Sequence, residues 1–301
     1  MSVAAAPRVL PRVGLGLAVA GGEAFDGQAA SYCVPVDHQQ PRMRWRRFAA
    51  VGDSFTEGMC DDLRPDGRYR GWADLVAQRL ADLAGRDGIS YANLAVRGRL
   101  VRQVVDEQVP QAVALQPDLT SLAVGVNDTL RRRFDLDASA TALEQGVRAL
   151  RSAGSDVLVF GFGDPGRRSR VLGSIRERIR AYNTAVDGIA AHYGCFVVRY
   201  WDVAAMDDDA LWAEDRLHLS AQGHRVAADS VLEALGVGSA QWRTPVVPQP
   251  LPPVHQRARG HARWLTGHAG PWLARRMRGE SSGDGIAPKH PEWVVVRPAA
   301  R

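Results

Sequence analysis

Cysteine is scarce in this chain of 301 residues: Cys33, Cys60 and Cys195 lie far apart, with no Cys-x-x-Cys pair and no metal-like spacing. That excludes a disulfide framework and a cysteine-based zinc site, and it suits a reducing compartment. Long hydrophobic runs are missing too. No eighteen consecutive apolar residues occur, so a membrane-spanning helix is ruled out on length. There is no Walker or dinucleotide glycine fingerprint after a strand-like segment, and no internal repeat. Even the net charge of +5 is local. Residues 241–301 carry ten Arg or Lys against three Asp or Glu, which leaves the rest of the chain slightly acidic. A solvated basic tail is the preferred reading; weak contact with an anionic membrane surface is the alternative, and nucleic acid is disfavoured as a partner.

What is present is enough apolar content, 46%, to build one sizeable core. One catalytic domain is expected over 43–238, preceded by an irregular leader (1–42) and followed by a Pro-rich linker and basic tail (239–301). Val13 to Gly22, behind Arg8 and Arg12, has the length of a signal-peptide apolar region but is Gly-rich and weakly hydrophobic, so a cytoplasmic location is expected over export. Met43 is an alternative start.

Five short apolar runs, near 48–53, 89–95, 119–125, 156–162 and 195–202, alternate with segments of helical spacing at 71–84, 100–115, 138–153, 171–193 and 221–235. That alternation predicts parallel strands joined by crossover helices. The near-continuous hydrophobicity of 119–126 and 157–162 suits strands covered on both faces. Gly85, Gly154 and Gly194 read as helix stops. After Gly236, prolines 245, 248, 250, 252 and 253 mark a semi-rigid linker. An amphipathic helix is expected from 254 to 278, broken at Gly270-Pro271, and the last twenty residues read as irregular. Trp242, Trp264, Trp272 and Trp293 lie among tail arginines. They fit anchors packing the tail back onto the catalytic domain better than a membrane-surface contact.

Four short motifs carry the chemistry: Val51-Gly52-Asp53-Ser54, Asn93-Leu-Ala-Val-Arg-Gly98, Gly125-Val-Asn127-Asp128 and Asp215-Arg-Leu-His218. Each alone reads as a turn or cap. In this order, after successive strands, they supply a serine nucleophile, oxyanion donors, and a histidine base with a carboxylate to orient it. In an open parallel sheet the site forms at the carboxyl ends of the strands, where Ser54, Gly98 and Asn127 fall.

These blocks resemble those of the SGNH, or GDSL-like, hydrolases, over about residues 44 to 236. The resemblance implies a three-layer α/β/α, flavodoxin-like fold, here with a central five-stranded parallel sheet, and hydrolysis of acyl or acetyl esters. It implies Ser54 as nucleophile, His218 as base and Asp215 as its partner. The Ser54 and Gly98 N–H groups and the Asn127 amide become the oxyanion donors, and no metal or other cofactor is expected. Asp53 and Asp128 read as loop organisers supporting the site. Phe55 stands where the family name has Leu, which bears on packing below the nucleophile.

Other patterns are weaker. Gly279-Glu-Ser-Ser-Gly283 matches the nucleophile elbow of another hydrolase fold but lacks a preceding strand, so it is assigned to chance. His255, His261 and His268 read as surface residues, and His224 as a packing or capping residue on the last helix. Arginines at 131–133 and 167–170 hint at a polar or anionic small-molecule ester, although solvated loop arginines are commoner. Two alternatives remain open: an acyltransferase using the same machinery, and a non-catalytic acyl- or glycan-binding protein.

Overall fold

Period-two burial is clearest in β1 (Arg47–Gly52), where Phe48 and Ala50 point into one apolar cluster and Val51 into another. The computed structural model describes residues 44–168, 172–244 and 282–300. β4 (Asp156–Gly161) repeats the division, with Leu158 and Phe160 on the first face and Val157 and Val159 on the second. The strands are therefore covered on both sides. One cluster lies under α2 (Trp72–Ala84) and α8 (Ala221–Ala234), and the other under the helical segment 101–115, α6 (Leu136–Ser152) and α7 (Arg176–Tyr193). Local signals start and stop these helices. Asp135 caps α6 by accepting from Ala138 N–H, Ser220 caps α8 by accepting from Gly223 N–H, and Gly194 ends α7 in the left-handed conformation.

With β2 (Ile89–Asn93), β3 (Leu119–Ala123), β5 (Phe196–Arg199) and β6 (His290–Val296), the sheet runs β5-β4-β3-β1-β2-β6. The pairings among β1 to β5 are all parallel, in the doubly wound order 5-4-3-1-2. β1 thus sits between strands whose connections diverge, and the crevice at its carboxyl end opens beside Ser54.

The expectation of five strands needs correction, because β6 adds a sixth, antiparallel to β2 with Tyr91 opposite Val294. The last twenty residues are therefore not all irregular: 290–296 pair with the sheet edge. Beside that pairing, the single lysine of the chain fastens them. Lys289 is 4% exposed, and its Nζ donates to the carbonyls of Tyr69 and Arg70 and to Asp74 Oδ2 at 2.6 Å. Gly88 lies so close to the Val296 carbonyl that a Cβ would overlap it. Trp242 is buried against Tyr200, with its indole N–H on Glu233. The described parts of the tail thus pack onto the catalytic fold.

Two helix expectations also shift. The segment 100–115 is α3 (Val101–Gln103), a π-helical stretch Val104–Gln108 and α4 (Val109–Leu115), and α7 begins after a tight turn over Leu172–Ile175. Among the described residues no helix is long and apolar enough to cross a membrane. The leader, the linker, the 254–278 helix with Trp264 and Trp272, the histidines at 255, 261 and 268, and most of the 279–283 pattern lie outside the described residues.

Candidate active site

β1 ends at Gly52, and Asp53 caps the four-residue helix α1 (Ser54–Glu57) by accepting from Phe55 N–H. Ser54 therefore occupies the first helical position directly after a central strand. Only glycine suits position 52: its φ is +154°, and a Cβ would collide with the Ala123 carbonyl oxygen. Its peptide is clamped from both sides by buried Gln108, whose Oε1 accepts from Gly52 N–H at 2.8 Å while Nε2 donates to Gly52 O at 2.9 Å. Gln108 sits in the π-helical stretch, an irregularity often found beside functional sites. Nothing in the sequence singles it out, because an isolated glutamine in a helical segment reads as a surface residue.

The Asp215 to His218 stretch forms a tight loop rather than a helical turn. Arg216 takes a left-handed φ of 57°, and Asp215 Oδ1 accepts from the N–H groups of Leu217 and His218. The loop is closed by Ala213 N–H on the His218 carbonyl and by a bridge between Trp212 and Leu219. The other carboxylate oxygen, Oδ2, lies 2.6 Å from His218 Nδ1, and His218 Nε2 lies 3.0 Å from Ser54 Oγ. Hydroxyl, imidazole and carboxylate, separated by about 160 residues of chain, stand in one hydrogen-bonded line.

The remaining candidates are placed less uniformly. Asn127 Nδ2 donates to Asp53 Oδ2 at 3.0 Å and to the Arg99 carbonyl at 3.2 Å, so an oxyanion would have to take over one of these bonds. Gly98 has φ +75° in the turn after β2 and does not line the cavity beside Ser54. Arg97, just before it, is held through both its backbone N–H and its guanidinium by the buried Glu57 of α1. Asp53 ties Phe55 to Asn127, and Asp128 accepts from Val101 N–H at the start of α3. His224 is buried as a cap. Its Nδ1 accepts from Trp72 N–H at the start of α2, and its Nε2 donates to the Met59 carbonyl. Phe55 packs among Trp72, Phe160 and Phe162.

Electrostatics follow from burial and these bonds. Burial, the strongest influence on His218, pushes its imidazolium pKa down. The hydrogen bond to Asp215, the nearby Cys60 and the Asp215 charge together outweigh it and raise the pKa from 6.5 to about 9. Burial likewise works against the Asp215 carboxylate, but the bonds from His218 and Leu217 hold its pKa below the usual carboxylate range. Asp53 has no comparable compensation; burial lifts it to about 7 against the bond from Phe55 N–H.

A cavity of about 130 Å³ opens beside Ser54 and His218. Its walls are largely apolar, with Phe55, Phe162, Leu130, Ile179, Met206 and Trp212 among them. Cys60, with a left-handed φ of 70°, is a neighbour of the site that its sequence context does not flag. Ligand atoms of Cys60, Asp215 and His218 fall within 4.8 Å of one another, a donor set a thiophilic divalent cation could use. In the line described above, the imidazole and carboxylate are already committed to each other and to Ser54.

Residues 50–226, more than half of the chain, match the family model for GDSL-like lipases and acylhydrolases. An acetylxylan esterase from Geobacillus stearothermophilus is 25% identical over 207 residues, which cover 62% of this chain and 92% of that protein. The crystal structure of an acetylxylan esterase from the same organism aligns with a TM-score of 0.52 at 21% identity, covering 65% of this chain and 97% of that one. A lipase/acylhydrolase from Enterococcus faecalis aligns with a TM-score of 0.52 at 20% identity, covering 63% and 95%. An α/β hydrolase from the metagenome of Lake Arreo, Spain, gives 0.52 at 21% identity, covering 64% and 96%. At these identities the structural likenesses establish a shared fold, and the family model narrows it. The chain belongs to the GDSL-like lipase/acylhydrolase family and is a carboxylic-ester hydrolase.

Proposed function

We propose that Ser54, His218 and Asp215 carry out a two-step hydrolysis through an acyl-enzyme. The observation that carries this reading is the line Ser54 Oγ, His218 Nε2 at 3.0 Å and His218 Nδ1 to Asp215 Oδ2 at 2.6 Å. His218 takes the proton as Ser54 Oγ attacks the ester carbonyl carbon, then gives it to the departing alkoxide. Water, deprotonated by the same imidazole, attacks the acyl-serine and releases the acid. Asp215 holds the imidazole tautomer and stabilises the imidazolium. The Ser54 N–H opens α1, where the aligned peptide dipoles favour negative charge, and Asn127 stands in the same cavity, which supports both as oxyanion donors.

The apolar cavity walls support an acyl group larger than acetyl, since each buried methylene contributes about 0.8 kcal/mol. Stopped-flow measurement with 4-nitrophenyl butyrate tests the acyl-enzyme. A burst of 4-nitrophenolate with an amplitude close to the enzyme concentration is expected whenever deacylation is the slower step. Where acylation is slower, added hydroxylamine or methanol should partition a common intermediate, giving the same product ratio from the 4-nitrophenyl and phenyl butyrates. Absence of the burst together with product ratios that differ between the two esters would rule the intermediate out.

The pH dependence has a definite sign. A general base must be neutral, and His218 is raised from 6.5 to about 9, so kcat/KM should climb through the neutral range, pass its midpoint near pH 9 and level off only above it. In Asp215→Asn the lifting bond is weakened and the acid limb should move to lower pH at a much reduced rate. A wild-type profile already flat at pH 7 would contradict the raised pKa of His218.

A further inference from the structure

The arginines of the loop after β4 do not share one environment. Arg167 pairs with Asp207 at 3.1 Å, and Arg176, which opens α7, pairs with Asp164 at 2.6 Å. Arg168 is different. Its guanidinium carbon stacks 3.3 Å from the centre of the Trp212 ring, it lines the cavity that holds Ser54 and His218, and its side chain makes no hydrogen bond or ion pair among the described residues.

A guanidinium carries five donors in a planar fork that matches a carboxylate. Stacking on an aromatic face satisfies its π-face but none of those donors. The acidic groups nearest to it do not cancel it. Asp207 is already engaged by Arg167, Asp164 by Arg176, and Asp209 acts on Arg168 only through space. Burial lowers the Arg168 pKa to about 10 against the pull of Asp209 and Asp207, which marks an incompletely compensated cation. The rest of the lining is mostly apolar: Phe55, Phe162, Leu172, Ile175, Met206 and Trp212.

From this arrangement we infer that the site is built for an ester bearing a carboxylate at the far end of an apolar spacer, with the carboxylate bound by Arg168 against Trp212. This rests on the hydrolytic reading given above and adds the substrate class to it. The same chemistry could be presented on the acyl side, as the half-ester of a dicarboxylic acid, or on the alcohol side, as an acylated hydroxy acid.

The test compares kcat/KM within two pairs matched in length. On the acyl side the pair is mono-4-nitrophenyl glutarate and 4-nitrophenyl pentanoate. On the alcohol side it is 4-butyryloxybenzoate and its methyl ester. In wild type one of the two anion-to-neutral ratios should be high, and in Arg168→Gln that ratio should fall by about 10- to 100-fold, as expected for loss of a charge-assisted hydrogen-bonded pair. Arg168→Lys should retain part of it, and the pair that responds identifies the side carrying the carboxylate. Taking a ratio cancels any general loss of activity, so a residue that merely supports Trp212 would slow both members alike and leave the ratio unchanged. Equal ratios in wild type and Arg168→Gln for both pairs, with the neutral esters turned over, would overturn this inference alone. No turnover of any of the four esters would overturn the hydrolytic reading and this one with it.

Discussion

Ser54→Ala is expected to lower kcat for 4-nitrophenyl butyrate by about 10⁵-fold or more, because the nucleophile and base act as one unit and removal of either abolishes the covalent route. The protein should remain folded, since Ser54 is only partly buried and its hydroxyl bond goes to His218 rather than into the core. His218→Ala should cost a similar factor, and the Ser54→Ala/His218→Ala double variant little more than either single one. Asp215→Asn should be milder, at about 10⁴-fold, because the imidazole is left in place but loses the partner that selects its tautomer. Additive losses in the double variant would mean that the two side chains do not cooperate, and steady-state kinetics over two enzyme concentrations would reveal it.

Lys289→Met is the second change with a large expected effect, on stability rather than rate. Burial raises the pKa of Asp74 and lowers that of Lys289 despite their mutual attraction, so desolvation of the pair consumes most of what their contact returns. The intact pair is close to break-even. Removing one member is not, because the carbonyls of Tyr69 and Arg70 would stay buried without this donor, and Asp74 would keep only Arg64 and the Tyr91 hydroxyl. A loss of about 3–5 kcal/mol is expected in denaturant unfolding. The Asp74→Leu/Lys289→Met double variant should be less damaged than the two single losses added together. An unchanged midpoint in Lys289→Met would show that β6 is not held by this contact.

The parts of this protein that were legible in its sequence share one property: their signals are local. Strands such as β4 are continuous apolar runs because both faces are covered, and the Asp-x-x-His spacing lets one carboxylate bond the neighbouring N–H groups and the imidazole together. β6 gives no such signal. It lies on the sheet edge, with Val295 63% exposed and Pro291 near its start, a position edge strands tolerate because one row of backbone groups needs no partner. Its partner strand is some 200 residues away. Gln108 and Lys289 were hidden for the opposite reason, since each is a polar residue whose default place is the surface. Only the fold reveals that one clamps the peptide before the nucleophile and the other fastens the tail. The oxyanion donors fall between these cases. Ser54 and Asn127 share the cavity, whereas Gly98 stands outside its lining.

Reaction with a fluorophosphonate tests the central claim most directly, because the reagent needs a serine activated by a neighbouring base and reports its position by mass. One adduct per chain is expected on the peptide containing Ser54, formed in step with loss of esterase activity, absent in Ser54→Ala and strongly slowed in His218→Ala. An esterase that loses activity while Ser54 stays unmodified, or that keeps full activity with Ser54 labelled, would contradict the account.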